Sequence, residues 1–202
     1  MKAAIQELMD DHTVIVRMLG VLEGICRRLS EGGRVESADL DAALDFIAVY
    51  ADETHHGKEE DYLFTAMERA GFPRDDGPVG MMLHEHRQGR EFVRALRLAA
   101  QGLKDGAPSA AKDTMAAAMG YAQLLANHIF KENNILYPMA MSAIPEAEWV
   151  TMTAEFARIE AERMGPAKRS GYEALVTRLE ALYPPPANGR IVALQSGACH
   201  PG

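Results

Sequence analysis

The chain has 202 residues, 48% of them hydrophobic, and carries 29 acidic against 21 basic side chains for a formal net charge of -8. That length supports one well-buried core of ordinary domain size, and the acidic excess argues against nucleic acid or an anionic membrane as a partner, because no basic stripe is present to neutralise phosphates. Two cysteines, Cys26 and Cys199, are too few and too far apart for a disulfide framework or a zinc ribbon.

The beginning, MKAAIQELMDDH, has acidic residues where a secretory signal has an apolar run, and no stretch is long enough to span a bilayer. A reducing cytoplasm is the expected location. In the first segment Ile5, Leu8, His12, Ile15, Leu19, Leu22, Cys26 and Leu29 step by three and four, which predicts an amphipathic helix stopped by Glu31-Gly32-Gly33. The second segment runs from about Ser37, read as an N-cap, through Leu44, Ala48, Ala51, His55, Glu59, Tyr62 and Ala66 to Gly71-Phe72-Pro73. The third carries Val79, Met82, His86, Gly89, Val93, Leu96, Ala100 and Leu103 at the same step. The fourth carries Met115, Ala118, Tyr121, Leu125, His128, Glu132, Ile135 and Met139, with Pro138 only in its last turn.

Short links favour antiparallel neighbours, so the expected fold is all-α, an up-down-up-down four-helix bundle over residues 1–142. Residues 143–183 are expected to form one or two amphipathic helices packed on the bundle, through Trp149, Met152, Phe156 and Ile159 and then Tyr172, Leu175, Leu179 and Leu182. The Pro/Gly-punctuated stretch 184–202 is expected to be extended or disordered.

One pattern is written twice. His55-x-x-x-Glu59 lies in HHGKEEDYLF and His128-x-x-x-Glu132 in HIFKENNILYP, with Leu63-Phe64 and Leu136-Tyr137 at the same offset. A separate histidine, His12 or His86, precedes each copy. A single histidine on an apolar stripe is more often a hydrogen-bonded core side chain than a ligand. Four stripe histidines and two stripe glutamates, however, would leave several buried ionisable groups in need of partners, at a cost of roughly several kcal/mol per uncompensated charge. A metal pair satisfies all of them together, with His12, His55, Glu59, His86, His128 and Glu132 as ligands, because residues four apart share a helix face. Imidazole and carboxylate donors suit iron or manganese, and zinc would also accept them.

The pair His56-Glu60 has the same internal spacing as His55-Glu59. Alignment of Leu63-Phe64 with Leu136-Tyr137 selects His55 and Glu59, leaving His56, Glu60 and Asp61 as outer or solvated groups, and His84 and Glu85 yield to His86 by the apolar seam. Tyr62, one turn beyond Glu59, is a candidate to approach the site as a hydrogen-bond donor or redox-active phenol, weighed against an ordinary core tyrosine.

These residues, in order over Ile5 to Met141, resemble the hemerythrin-like family in its H…HxxxE…H…HxxxE form. The resemblance implies a non-heme di-iron centre, two iron ions with carboxylate bridges and an oxo, hydroxo or water bridge. Oxygen-carrying hemerythrins look like they need a second histidine one turn from the third-helix ligand. Here Met82 and Arg90 stand at that distance from His86, which argues against reversible oxygen carriage and implies an even supply of two histidines per iron. Two functions are carried forward: a reactive di-iron protein that binds or reduces a small diatomic or peroxide ligand (O2, H2O2 or NO), or a non-catalytic oxygen, NO or iron sensor or iron donor for iron-centre repair. The sequence does not identify a protein partner or an electron donor.

Overall fold

In the computed structural model, which describes residues 1–187 and 189, the first apolar stripe becomes α1 (Ala3–Ser30). Gly32 follows it at φ +72°, a conformation that only a residue without Cβ adopts at little cost. A second rod occupies residues 37–69: α2 (Ser37–Phe46), π-helical turns at Ile47–His56 and Glu59–Leu63, and α3 (Phe64–Arg69). Ser37, expected as its N-cap, is the first helical residue; Glu36 holds the cap position. The third rod is α4 (Gly77–Lys104), opened by Asp76, whose carboxylate accepts the Gly77 N–H at 2.7 Å. The fourth is α5 (Ala110–Lys131), which runs through a π-helical turn at Glu132–Leu136 into α6 (Tyr137–Ala143). Pro138 has no N–H to give and falls just after that wider turn.

Cross-links show that adjacent rods run antiparallel, the second against the third and the first against the fourth. Arg90 reaches Asp52 while His86 reaches Glu60, and Cys26 lies against the Met115 carbonyl while His12 reaches Asn133. The four rods form an all-α bundle, and no strand occurs among the described residues.

The apolar core comes in two parts. One gathers Ile15, Leu22, Phe46, Leu96 and Leu125 at one end of the bundle; the other gathers Ile5, Leu8, Leu63, Phe64, Val79 and Leu136 at the other. Between them lies a buried polar layer containing Asp11, His12, His55, His56, Lys58, Glu59, His86, His128 and Glu132.

The chain leaves the bundle at Ile144 in extended backbone and forms α7 (Glu146–Ile159), a π-helical turn at Glu160–Met164 and α8 (Gly165–Leu182). α7 buries Trp149, Met152 and Phe156 in one apolar part, and α8 buries Tyr172, Val176 and Leu179 in the other. Burial of such a side chain contributes about 1.5–3 kcal/mol, so both helices are fastened to the bundle. Their junction, where Gly165 takes φ +71°, lies at the level of the polar layer. Most of the stretch 184–202, expected to be extended, lies outside the described residues.

Candidate metal centre

The polar layer is built where the second and fourth rods widen into π-helical turns. In an α-helix consecutive residues are about 100° apart. Closing each hydrogen-bonded turn with one more residue reduces that step, so neighbours such as His55 and His56 can both face inward.

Two groups of donors result. His56, Glu59, His86 and His128 bring one ligand atom each within 4.8 Å of one another, and so do His12, His55, Glu59 and Glu132. Glu59 belongs to both. All seven side chains are buried. The six residues expected from the sequence therefore meet in one place, and a seventh, His56, joins them. The even division of histidines is corrected: three stand in one group and two in the other. No histidine lies one turn from His86; the third imidazole of that group is His56 on the second rod, which stacks on the His86 ring at 3.8 Å.

Four of the five imidazoles are held by a hydrogen bond at the outer nitrogen, and the outer nitrogen of His55 faces a carboxylate without one. His12 Nδ1 is 2.9 Å from Asn133 Oδ1, His56 Nδ1 3.2 Å from Asp52, His86 Nδ1 2.7 Å from Glu60 and His128 Nδ1 2.8 Å from Glu85. His55 Nδ1 faces Asp11 Oδ2 at 3.5 Å. An outer acceptor of this kind fixes the ring and leaves Nε2 as the inward donor atom, the usual arrangement behind a metal-binding histidine. Inward, His86 Nε2 and His128 Nε2 approach to 2.9 Å, His12 Nε2 lies 3.2 Å from Glu132 Oε2, and His128 Nε2 lies 3.0 Å from Glu132 Oε1. Both Glu132 oxygens and Glu59 Oε2 nonetheless lack a hydrogen-bond partner. The His86–His128 approach has hydrogen-bond geometry, but the carboxylate oxygens close to the imidazoles do not, and such short approaches among buried atoms that carry lone pairs fit a pair of cations held between them.

The electrostatics without a cation are strained in the same sense. Burial and the neighbouring Glu132 carboxylate push Glu59 well above the usual carboxylate range. Burial opposes ionisation of Glu132, but His128 and His12 hold it well below that range. Burial and the charge of His12 push His55 down to about 3, against the pull of Asp11. His86 is lowered by burial and by His56 and His128, whereas His128, despite its burial, is raised to about 9 by Glu132 and Glu85.

Tyr62 is turned away from this centre. Its hydroxyl donates to Glu155 at 3.0 Å and accepts from Arg158 at 2.7 Å, on the side covered by α7. The phenol at the site is Tyr137, fully buried, whose O–H donates to Glu59 Oε1 at 2.7 Å and whose ring stacks on His12 at 5.7 Å. Its signal was its place in the repeat, at the position of Phe64. Of the neighbours set aside in the sequence, Glu60 and Glu85 are the outer acceptors just described, Asp61 faces Arg163 at 3.4 Å on the surface, and His84 is exposed.

Each donor group borders a cleft. A cavity of about 690 Å3 reaches His12 between Met9, Thr13, Phe130 and Asn133, and one of about 260 Å3 reaches His56 and His86 beside Asp52, Arg90 and Tyr121.

A four-helix bundle with paired histidine–carboxylate sites is a metal-binding architecture. The family description "Hemerythrin HHE cation binding domain" matches residues 3–140, and the chain belongs to that family. It is similar to uncharacterized proteins of Mycobacterium tuberculosis and Mycobacterium bovis, 26% identical over 175 residues, covering 86% of this chain and 66% of theirs. It is also similar to the iron-sulfur cluster repair protein YtfE of Edwardsiella ictaluri, 32% identical over 96 residues, covering 46% of this chain and 42% of that protein. The chain thus spans just under two thirds of the mycobacterial relatives. No solved structure matches it significantly. No helix among the described residues is long and apolar enough to cross a membrane.

Proposed function

We propose that the chain holds two iron ions and uses them to bind or reduce a small oxidant, O2, H2O2 or NO. The observation that carries this reading is the set of five buried imidazoles, four of them oriented by hydrogen-bonded outer acceptors and the fifth, His55, facing Asp11, around two carboxylates with unpartnered oxygens. His56, His86 and His128 would hold one ion and His12, His55 and Glu132 the other, with Glu59 reaching both. When bound, a ferrous pair supplies two electrons and a Lewis-acidic place for a small ligand. Tyr137 fixes one Glu59 oxygen by donating a hydrogen bond to it, so the other is left to the centre. Leu63, Phe64 and Leu136, all buried, keep bulk water from the layer on one side.

Protein purified without chelator after growth in ample iron should carry about two irons per chain, and with an added chemical reductant to return the centre to the ferrous state it should consume peroxide or NO repeatedly. Glu59→Ala should lower the iron content to at most one per chain and abolish the turnover. A chain that takes up no ferrous ion under anaerobic loading would end the proposal.

The likeness to an iron-sulfur cluster repair protein supports a second reading, iron donation. Under it the ferrous protein would react with oxidant only once per centre. It would instead transfer iron to an apo iron–sulfur protein, measured by cluster absorbance in the recipient.

A further inference from the structure

We propose that Arg169 on α8, held by Glu160, is a positioning residue for His55, so that the C-terminal helices govern one of the two metal positions. The inference rests on the metal reading above and adds to it a part of the chain outside the matched family region.

The contacts form a chain from α8 to the centre. Arg169 donates through Nη1 to Asp11 Oδ1 at 2.9 Å, and Asp11 Oδ2 faces His55 Nδ1 at 3.5 Å. Arg169 is gripped from the other side by a two-pronged pair with Glu160, Nε to Oε1 at 2.6 Å and Nη2 to Oε2 at 2.8 Å. Glu160 also accepts from Lys58 at 3.1 Å, and Lys58, 0% exposed, returns to Asp11 at 3.2 Å. Tyr50 closes the ring, accepting from Arg169 at 2.7 Å and lying 3.3 Å from Asp11. A planar guanidinium bridging two carboxylates fixes direction as well as charge, which an ammonium does not.

His128 occupies the corresponding place in the other donor group, and its acceptor is secured without the C-terminal helices. Glu85 pairs with Lys131, one helical turn beyond His128 on the fourth rod, and no residue of α7 or α8 reaches it among the described contacts. If Arg169 only fastened α8, its loss would resemble loss of any other tie between α1 and α8. Arg17 and Glu180 provide such a tie, at 2.6 Å, leading to no histidine.

The test is a stepwise titration of metal-free full-length protein with Co(II), followed by its ligand-field absorption. The wild type should show two steps. Arg169→Gln should weaken one step about tenfold, in the range typical of lost outer support for a metal ligand, and leave the other in place. Arg169→Lys should recover part of the loss, and Arg17→Gln should titrate as the wild type. Glu160→Gln, a milder variant should Arg169→Gln fail to fold, should weaken the same step. Equal weakening of both steps, an equal effect of Arg17→Gln, or wild-type titration by both Arg169→Gln and Glu160→Gln would overturn the inference. A wild type that takes up no cobalt and no ferrous ion would instead refute the metal reading, and this proposal with it.

Discussion

In the half of the polar layer built by α1 and the second rod, Asp11 precedes His12 and faces His55, Lys58 precedes Glu59 and reaches Asp11, and Glu60 follows and holds His86. In the half built by α4 and the fourth rod, Glu85 precedes His86 and holds His128, Lys131 precedes Glu132 and reaches Glu85, and Asn133 follows and reaches His12. The wiring is the same, position for position: each half keeps one outer acceptor for its own histidine and lends the other half one, Glu60 to His86 and Asn133 to His12. The differences are few. His56 with its acceptor Asp52 stands where the second half has Ile129 and Leu125, and Tyr137 stands where the first half has Phe64. A repeated scaffold thus supplies the common donors, and three or four substitutions make the two positions chemically unequal.

Removing the shared carboxylate breaks the comparison most completely. Glu59→Ala should reduce bound metal from about two per chain to at most one, whereas Glu132→Ala, which belongs to one group only, should spare the three-histidine position. Elemental analysis of the purified variants distinguishes these outcomes. His56→Leu makes the halves more alike and should weaken the three-histidine position by at least about tenfold, since a direct donor matters no less than its outer support. Stepwise cobalt titration measures it.

Acid should expose the inequality in metal-free protein. His55, pushed down to about 3, and His56 and His86, also lowered, are neutral in the fold and take up protons on unfolding, so their contribution is lost as pH falls below about 6.5. His128, raised to about 9, acts oppositely, stabilising at low pH and losing that contribution as pH rises through about 9. Glu59, held above the usual carboxylate range, favours the fold as pH falls and offsets part of this loss; with three histidines against His128 and that one carboxylate, the metal-free melting temperature should fall by several degrees between pH 7 and pH 4, at ~2–4 °C per kcal/mol for a chain of this size. Calorimetric scans that show no acid shift would contradict this balance.

Tyr137→Phe equalises the two aromatic positions and removes one buried hydrogen bond, a loss of about 1 kcal/mol by denaturant titration. Tyr62→Phe, at the surface pair with Glu155 and Arg158, should change stability by less than about 0.5 kcal/mol and leave metal content alone.

The rods, their order and the six repeated residues that meet at the candidate centre are legible because apolar steps of three and four continue through each segment and the histidines interrupt them in register. His56 was not, because the choice between His55 and His56 assumed the angular step of an α-helix, on which neighbouring residues diverge; the π-helical turn at Ile47–His56 brings both inward. Tyr62 was misplaced for the same reason. One turn beyond Glu59 along an ideal helix is the inner face, but across Glu59–Leu63 it has rotated toward α7. The outer acceptors Asp11, Asp52 and Glu85 resembled surface charge, and only contacts between rods reveal what they hold. Arg169, more than a hundred residues from Asp11, had no local signal at all.

The four π-helical turns also bear on how length changes would be tolerated. Each closes its hydrogen bonds over one residue more than an α-helical turn, so each is a place where a residue can be taken out and the helix can heal into ordinary winding. A single deletion within 47–56 would therefore be absorbed locally, with the rods on either side still paired. The angular phase that aims His55 and His56 together would be lost. Such shortened chains would fold and yet be blind to metal, separating what the sequence needs to stand up from what it needs to hold its cargo.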